Sequence, residues 1–209
     1  EKYENAFNSI ANSLREDPGP STELDYTEQT SWILFLKYLN DYEIESKKSS
    51  QLNNQSHSFI LEEEYRWNVW AVPKKADSTV DHNKGLTGDD LLDFVNIKLF
   101  PYLKSFKLSA DNANTFEYKV GEIFNEIKNK FESGYALRDV LLSADELQFL
   151  ENERQFQLSS LYEDKIKNMG NSGRNGGEYY TPRPLIKSIV KVVNPVIGET
   201  VYDGAVGSA

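Results

Sequence analysis

Apolar positions along the first 150 residues recur at helical spacing and are separated by polar stretches. Trp32-Ile33-Leu34-Phe35-Leu36 covers more than one face of a helix predicted over residues 27–39, which puts that helix at the centre of a core. Asp25 and Glu28 stand three apart at its start, the spacing of a capping box. The polar residues 41–55 read as a loop. Trp67 and Trp70 within residues 65–72 suggest a short strand or an aromatic plug. Thr87 and Asp90 give a second capping signal before a helix over residues 91–100, which Pro101 should stop or kink. Val120, Ile123, Phe124, Ile127 and Phe131 follow i, i+3, i+4, i+7, i+11, one stripe of an amphipathic helix. Ser143 and Glu146 cap another. Leu158, Leu161, Tyr162, Ile166 and Met169 mark one more, ended by Gly170. All these stripes read as the packing of a helical domain, and no internal repeat interrupts them.

The character changes after Gly170. Residues 171–177 (NSGRNGG) form a linker or binding loop. Thr181-Pro182 then opens a helix, with Thr as N-cap and Pro at the first position, where its missing N–H has no acceptor to lose. Leu185, Ile186, Ile189, Val190 and Val193 should form its buried face, and Asn194-Pro195 should end it. Gly198 turns the chain, and Thr200-Val201-Tyr202 reads as a short buried strand running into the small-residue loop Asp203-Gly204-Ala205-Val206-Gly207-Ser208-Ala209. Helix, strand and glycine loop in this order resemble the opening of an α/β domain.

Composition narrows the classes. The chain has 209 residues, 39% apolar and 12% aromatic, too apolar for disorder. It has no cysteine, which excludes disulfides, thiolate metal sites and thiol nucleophiles and fits a reducing, cytoplasmic setting. The longest purely apolar run, Trp32 to Leu36, is far short of the roughly 20 residues of a membrane helix. The only methionine is Met169, and Gly207-Ser208-Ala209 reads as a loop cut short, so the chain is read as part of a longer protein. The net charge of −10 argues against nucleic-acid binding by bulk charge. Residues 165–191 run the other way, with six basic residues against Glu178 alone.

The candidate chemistry lies in that basic, glycine-rich region. Asp203 followed by Gly204 and Ala205 lets backbone N–H groups approach a ligand closely. A phosphate-binding P-loop would need Lys before Ser208, and a dinucleotide fingerprint would need Gly at position 206, where Val206 stands. In GEYYTP, residues 177–182, the Thr181 hydroxyl and the first-turn N–H groups suit a carboxylate, and Tyr179 or Tyr180 suits an adenine or a methionine chain. The two loops together suit S-adenosylmethionine. His57 and His82, the only histidines, lie at no metal-ligand spacing, and Glu62-Glu63-Glu64 and Asp89-Asp90 read as a solvated face and a helix start.

Four stretches resemble the methylation (modification) subunit of type I restriction–modification enzymes, adenine-N6 DNA methyltransferases. They are residues 22–39, 86–103, 166–186 and 201–209, and the resemblance they carry extends over nearly the whole chain. Tyr180, Thr181, Pro182 and Leu185 match the family's YTP-x-x-L character. Asp203, Ala205, Gly207 and Ser208 match its cofactor loop, with Gly204 where the family commonly has Pro and Ala209 where it has Gly.

The resemblance implies a mainly α chain: a helical domain for assembly and closure around DNA over residues 1–150, then the truncated start of a Rossmann-like α/β methyltransferase domain over 151–209. It implies S-adenosylmethionine held between Glu178, Tyr179, Tyr180, Thr181, Pro182 and Arg183 on one wall and Asp203, Ala205, Gly207 and Ser208 on the other. It also implies a catalytic Asn-Pro-Pro-Tyr/Phe motif, which this sequence lacks; Asn194-Pro195 is followed by Val196 and reads as a helix stop. The implied partners are a specificity subunit, a second methylation subunit, a restriction subunit and duplex DNA. The alternatives are a non-enzymatic helical assembly module and, further off, a nucleotide-binding regulator.

Overall fold

The computed structural model describes residues 2–77, 79–150, 183–202 and 204. The chain divides into two compact units, Glu1–Leu161 and Tyr162–Ala209. The described residues are helical, with one isolated antiparallel bridge, Lys74 to Val80, and no sheet.

Helix α1 (Lys2–Glu16) buries Tyr3, Ala6, Phe7, Ile10 and Leu14, a stripe at i, i+3, i+4, i+7 and i+11, and packs along α7 (Gly134–Asp145). Helix α2 (Glu23–Leu52) is the longest element. Its N-cap is Thr22, in a reciprocal capping box with Asp25: Asp25 N donates to Thr22 Oγ1 at 3.1 Å and Thr22 N donates to Asp25 Oδ2 at 3.0 Å. The helix therefore starts earlier than the Asp25/Glu28 pair suggests. It also runs through residues 41–52, expected as a loop. Half of the side chains there, Glu43, Glu45, Lys47, Lys48, Gln51 and Leu52, are good helix formers, and Glu43 is buried, so packing on one face carries the polar segment as helix. The helix ends in a Schellman arrangement: Gln55 N reaches Ser50 O at 2.8 Å, Asn54 N reaches Gln51 O at 3.2 Å, and Asn54 takes the left-handed φ of 53°.

Residues 65–72 form no strand. A short helix, α3 (Trp67–Trp70), buries both tryptophans at an edge-to-face 5.9 Å, so the plug reading holds. Thr87 is extended and precedes α4 (Gly88–Asp93), but its side chain makes no cap bond. A π-helical segment, Phe94–Leu99, follows, then α5 (Phe100–Ser109). Pro101 therefore does not stop the helix. The Phe100 N–H bonds Val95 O, one residue further back than in an α-helix, so the widened turn takes up the disruption the ring brings.

Helix α6 (Phe116–Glu126) packs against α5 and buries Val120 and Phe124. The predicted stripe over-reaches at both ends of its logic: Ile123 is 45% exposed, Ile127 is already the extended cap residue, and Phe131 is buried from the following segment. Helix α7 is capped by Ser133, whose Oγ accepts from Ala136 N at 3.2 Å; Ser143, expected as a cap, lies in its last turn and Glu146 is its C-cap. Trp32 Nε1 donates to Gln29, and its ring meets Phe100 edge-on at 5.2 Å, joining α2 to α5 at the centre of the core.

In the second unit α8 (Arg183–Val193) ends at Asn194, which takes a φ of 47° and returns its N–H to Val190 O at 2.8 Å, as the Asn-Pro stop requires.

Candidate functional site

Buried polar side chains hold the helical unit's long connections. Asp17, 3% exposed, accepts from Gly19 N at 2.9 Å, Glu132 N at 3.1 Å and Ser133 N at 2.9 Å. Gln29 donates to Lys128 O and accepts from Lys130 N, at 3.0 and 3.1 Å. Burial pushes the Asp25 carboxyl up. The Lys130 ammonium and the N–H groups of Ser21 and Thr22 outweigh this and hold it well below the usual carboxylate range. Bonding to Asp25 correspondingly raises Lys130. These three residues clamp the extended segment 128–133 beside the turn between α1 and α2.

A second group centres on Asp145. It accepts from Trp67 Nε1 at 2.9 Å, pairs with Lys74 at 2.8 Å and lies 3.8 Å from Lys37, which itself pairs with Asp41 at 2.6 Å. Arg138, 8% exposed, donates to Ala71 O, and burial draws its pKa down. A third group surrounds Glu43, whose carboxylate accepts from Ile60 N and is raised by burial against the opposing fields of Arg66 and His57. Tyr65 and Tyr102 stack at 3.8 Å, both raised by burial, with Tyr102 Oη accepting from Glu62 N at 3.0 Å. All are structural ties between elements. Among the described residues no group of three His, Asp or Glu side chains is placed to hold a metal ion.

The cofactor residues expected from sequence fall almost wholly elsewhere. Glu178, Tyr179, Tyr180, Thr181, Pro182, Asp203, Ala205, Gly207 and Ser208 lie outside the described residues, as does the stripe from Leu158 to Met169. Arg183 is the first residue of α8. That helix carries its apolar stripe as predicted, but the stripe is not buried: Leu185, Ile189 and Val190 are each 51% exposed. Val201 and Tyr202 likewise form no buried strand; Tyr202 is 91% exposed. A lone extended segment has no neighbour to take its backbone hydrogen bonds, so the pattern of a strand does not by itself make one. Gly198 turns the chain as expected, at φ 99°, and Glu199 closes the turn, its side chain accepting from Val196 N at 3.0 Å.

Comparison with known proteins supplies the missing context. Residues 4–144 match the family described as the HsdM N-terminal domain, two thirds of the chain. The chain belongs to this family. Residues 154–209 match the N-6 DNA Methylase family. Over 200 residues the chain is 30% identical to the type I restriction enzyme EcoEI methylase subunit of Escherichia coli, covering 96% of this chain and 38% of that protein. It is 26% identical over 204 residues to the StySPI methylase subunit of Salmonella potsdam, covering 32% of it. Among solved structures, a modification subunit assigned to a type I restriction enzyme of Vibrio vulnificus YJ016 superposes with a TM-score of 0.79 at 31% identity, over 95% of this chain and 41% of that one. A second, solved for the complex assembly of a type I R-M system, gives 0.73 at 31% identity, over 97% and 37%. The chain thus spans about two fifths or less of the length of these relatives. Among the described residues no helix is long and apolar enough to cross a membrane.

Proposed function

We propose that this chain is the leading part of a type I methylation subunit whose whole form transfers a methyl group from S-adenosylmethionine to adenine N6 in DNA. The observation that carries it is the order of the two family matches, the HsdM N-terminal domain followed by N-6 DNA Methylase. In this reading residues 1–150 serve assembly and closure around DNA, and residues 151–209 open a Rossmann-like domain. The neighbour solved for complex assembly supports a multisubunit setting. The partners are a specificity subunit, a second methylation subunit, a restriction subunit and duplex DNA. The two family matches together favour the methylase reading over the assembly-module alternative.

The donor chemistry fits the cofactor. A helix that opens at Arg183 leaves its first N–H groups without intrahelical acceptors, just after Thr181. Those groups and the Thr181 hydroxyl would take the carboxylate end, with Glu178, Tyr179, Tyr180, Pro182 and Arg183 lining that wall. Asp203, with Ala205, Gly207 and Ser208 behind it, would take the ribose or ammonium end. S-adenosylmethionine supplies the electrophilic methyl; this chain's residues would only bind and orient it. An Asn-Pro-Pro-Tyr/Phe motif does not occur in the 209 residues, so this chain alone should not methylate DNA.

The test is calorimetric titration of the chain, and of the whole subunit, with the methyl donor. Thr181→Ala should weaken binding about tenfold, the scale of one lost hydrogen bond to a charged group. Transfer of labelled methyl to adenine by the 209-residue chain would contradict the inactivity expected of it.

A further inference from the structure

Arg138 stands on the second turn of α7 and is 8% exposed. A charge taken out of water without a counter-ion is costly. Yet among the described residues no carboxylate pairs with this guanidinium. Asp145 is taken by Trp67 and Lys74, and it and Asp139 act on Arg138 through their fields alone. The hydrogen bond that Arg138 does make runs from Nη1 to Ala71 O. That serves the fold and leaves most of a five-donor group unused. Gly85 lies against the same guanidinium: a Cβ there would stand 2.6 Å from Nη2, 2.9 Å from Cζ and 3.1 Å from Nη1, an approach that only glycine allows. The unused donors are not sealed in. Among the described residues the one buried side-chain atom without a partner is His57 Nε2, so the free edge of Arg138 reaches solvent. The chain on either side of it is basic, with Lys74 and Lys75 shortly after Ala71 and Lys84 just before Gly85, all exposed. Between these lysines Asp77 and Asp81 turn their carboxylates onto Thr79 N at 3.0 Å and Asn83 N at 3.2 Å.

We propose that the free edge of Arg138, between Ala71 and Gly85, is a binding site for a small oxyanion, a single phosphate group. A guanidinium offers two parallel N–H groups to two oxygens of such an ion, and the ion returns the missing counter-charge. An opening that leaves the arginine 8% exposed admits a free ion or the phosphate of a small metabolite, not a duplex. Bound there, the ion ties the segment from Ala71 to Gly85 to α7 and stabilises the helical unit by mass action. The inference depends neither on the methylase reading nor on the cofactor walls.

The 209-residue chain is titrated with inorganic phosphate by calorimetry, and melted in phosphate and in chloride of equal ionic strength. At ten times its Kd, phosphate should raise the Tm of the wild type by about 3–6 °C over chloride. Arg138→Lys keeps the charge and loses the fork. Gly85→Ala keeps the arginine and pushes its guanidinium aside. Each should weaken phosphate binding about tenfold. Gly85→Ala displaces only the far end of a flexible side chain, so it decides the matter even where Arg138→Lys fails to fold, which circular dichroism reports. Lys98→Gln, which removes an exposed lysine of the π-helical turn, should change binding by less than about twofold. Adenosine monophosphate in place of phosphate separates the two sources: tighter binding assigns the phosphate of a small metabolite, equal or weaker binding the free ion. The proposal is overturned if phosphate and chloride shift the melting alike, if either folded variant at Arg138 or Gly85 binds phosphate like wild type, or if Lys98→Gln loses as much as they do.

Discussion

Trp67 Nε1 donates to Asp145 Oδ1 at 2.9 Å, a bond between residues 78 positions apart. It ties the aromatic plug to the C-terminal end of α7, and the same carboxylate holds Lys74 and stands near Lys37 of α2. Asp145→Ala removes the anion from three partners at once and leaves the buried Lys37 with Asp41 alone. We expect a loss of about 3 kcal/mol, the scale for breaking a buried charged network, seen as a lower urea midpoint at unchanged slope. Trp67→Phe drops the one donor and leaves a cavity where the buried indole packed, and should cost about 2–3 kcal/mol.

Gly134 opens α7 where a Cβ would lie 1.9 Å from the carbonyl oxygen of Gly88. The oxygen is backbone, and a Cβ is fixed by its own backbone, so neither can swing away. Gly134→Ala should cost about 2–3 kcal/mol through overpacking, measured by chemical unfolding. Gly121→Ala, with Lys107 N at 2.2 Å, should behave alike by forcing α5 from α6. Gly198 has nothing within 4 Å but a φ of 99°, so alanine there should strain only its own turn, by about 1 kcal/mol, and leave the helical unit's melting unchanged.

Asp25 and Glu43 should pull the acid stability of the helical unit in opposite directions. The Asp25 pKa is lowered in the fold, so its stabilisation is full above the unfolded value near 4 and fades as pH falls below it. Glu43 is raised, so folding takes up its proton more readily than the unfolded chain does, and stability declines as pH rises from about 4.3 through its folded pKa. In urea unfolding between pH 3 and 7, Asp25→Asn should flatten the acid limb and Glu43→Gln should abolish the decline above it. The same slope in both variants would show that neither group titrates as the fold demands.

Asp203→Ala in the whole subunit should lower affinity for the methyl donor about tenfold or more, the loss of a charge-assisted hydrogen bond, while leaving the melting of the helical unit unmoved. Calorimetry gives the first and thermal unfolding the second.

The helical nature of the first unit was legible because amphipathic stripes survive any topology. Trp32 to Leu36 marked the central helix correctly, and Asn194-Pro195 marked a true stop. Boundaries were harder. Several of the Ser, Thr and Asp residues in these loops are spaced for a cap, and only tertiary contact chooses among them: Thr22 over Asp25, Ser133 over Ser143. The second half of α2 is hidden in the sequence because its run of polar residues matches a loop, although Lys, Glu and Gln are good helix formers and buried Glu43 anchors the segment. The stripe of α1 was equally visible but carried no motif to draw the eye. Asp17, Gln29 and Asp145 each have partners 71 to 116 positions away, so no local pattern could announce those ties. The proposed cofactor walls rest on short motifs, whose letters carry chemistry but not position.

The extra residue in the turn from Phe94 to Leu99 sets the phase of everything that follows in that rod. Each residue of an α-helix advances about 100° around the axis. Wound as a regular α-helix with every residue kept, the rod would rotate Phe100, Leu103 and Phe106 together by about 100°, carrying Phe100 away from Trp32 and Phe124, whereas deleting one residue of the wide turn, such as the exposed Ile97, would restore their phase. A smoother helix would thus make a worse protein, because the irregular turn works as a gear tooth that keeps two stretches of one helix meshed with the same core.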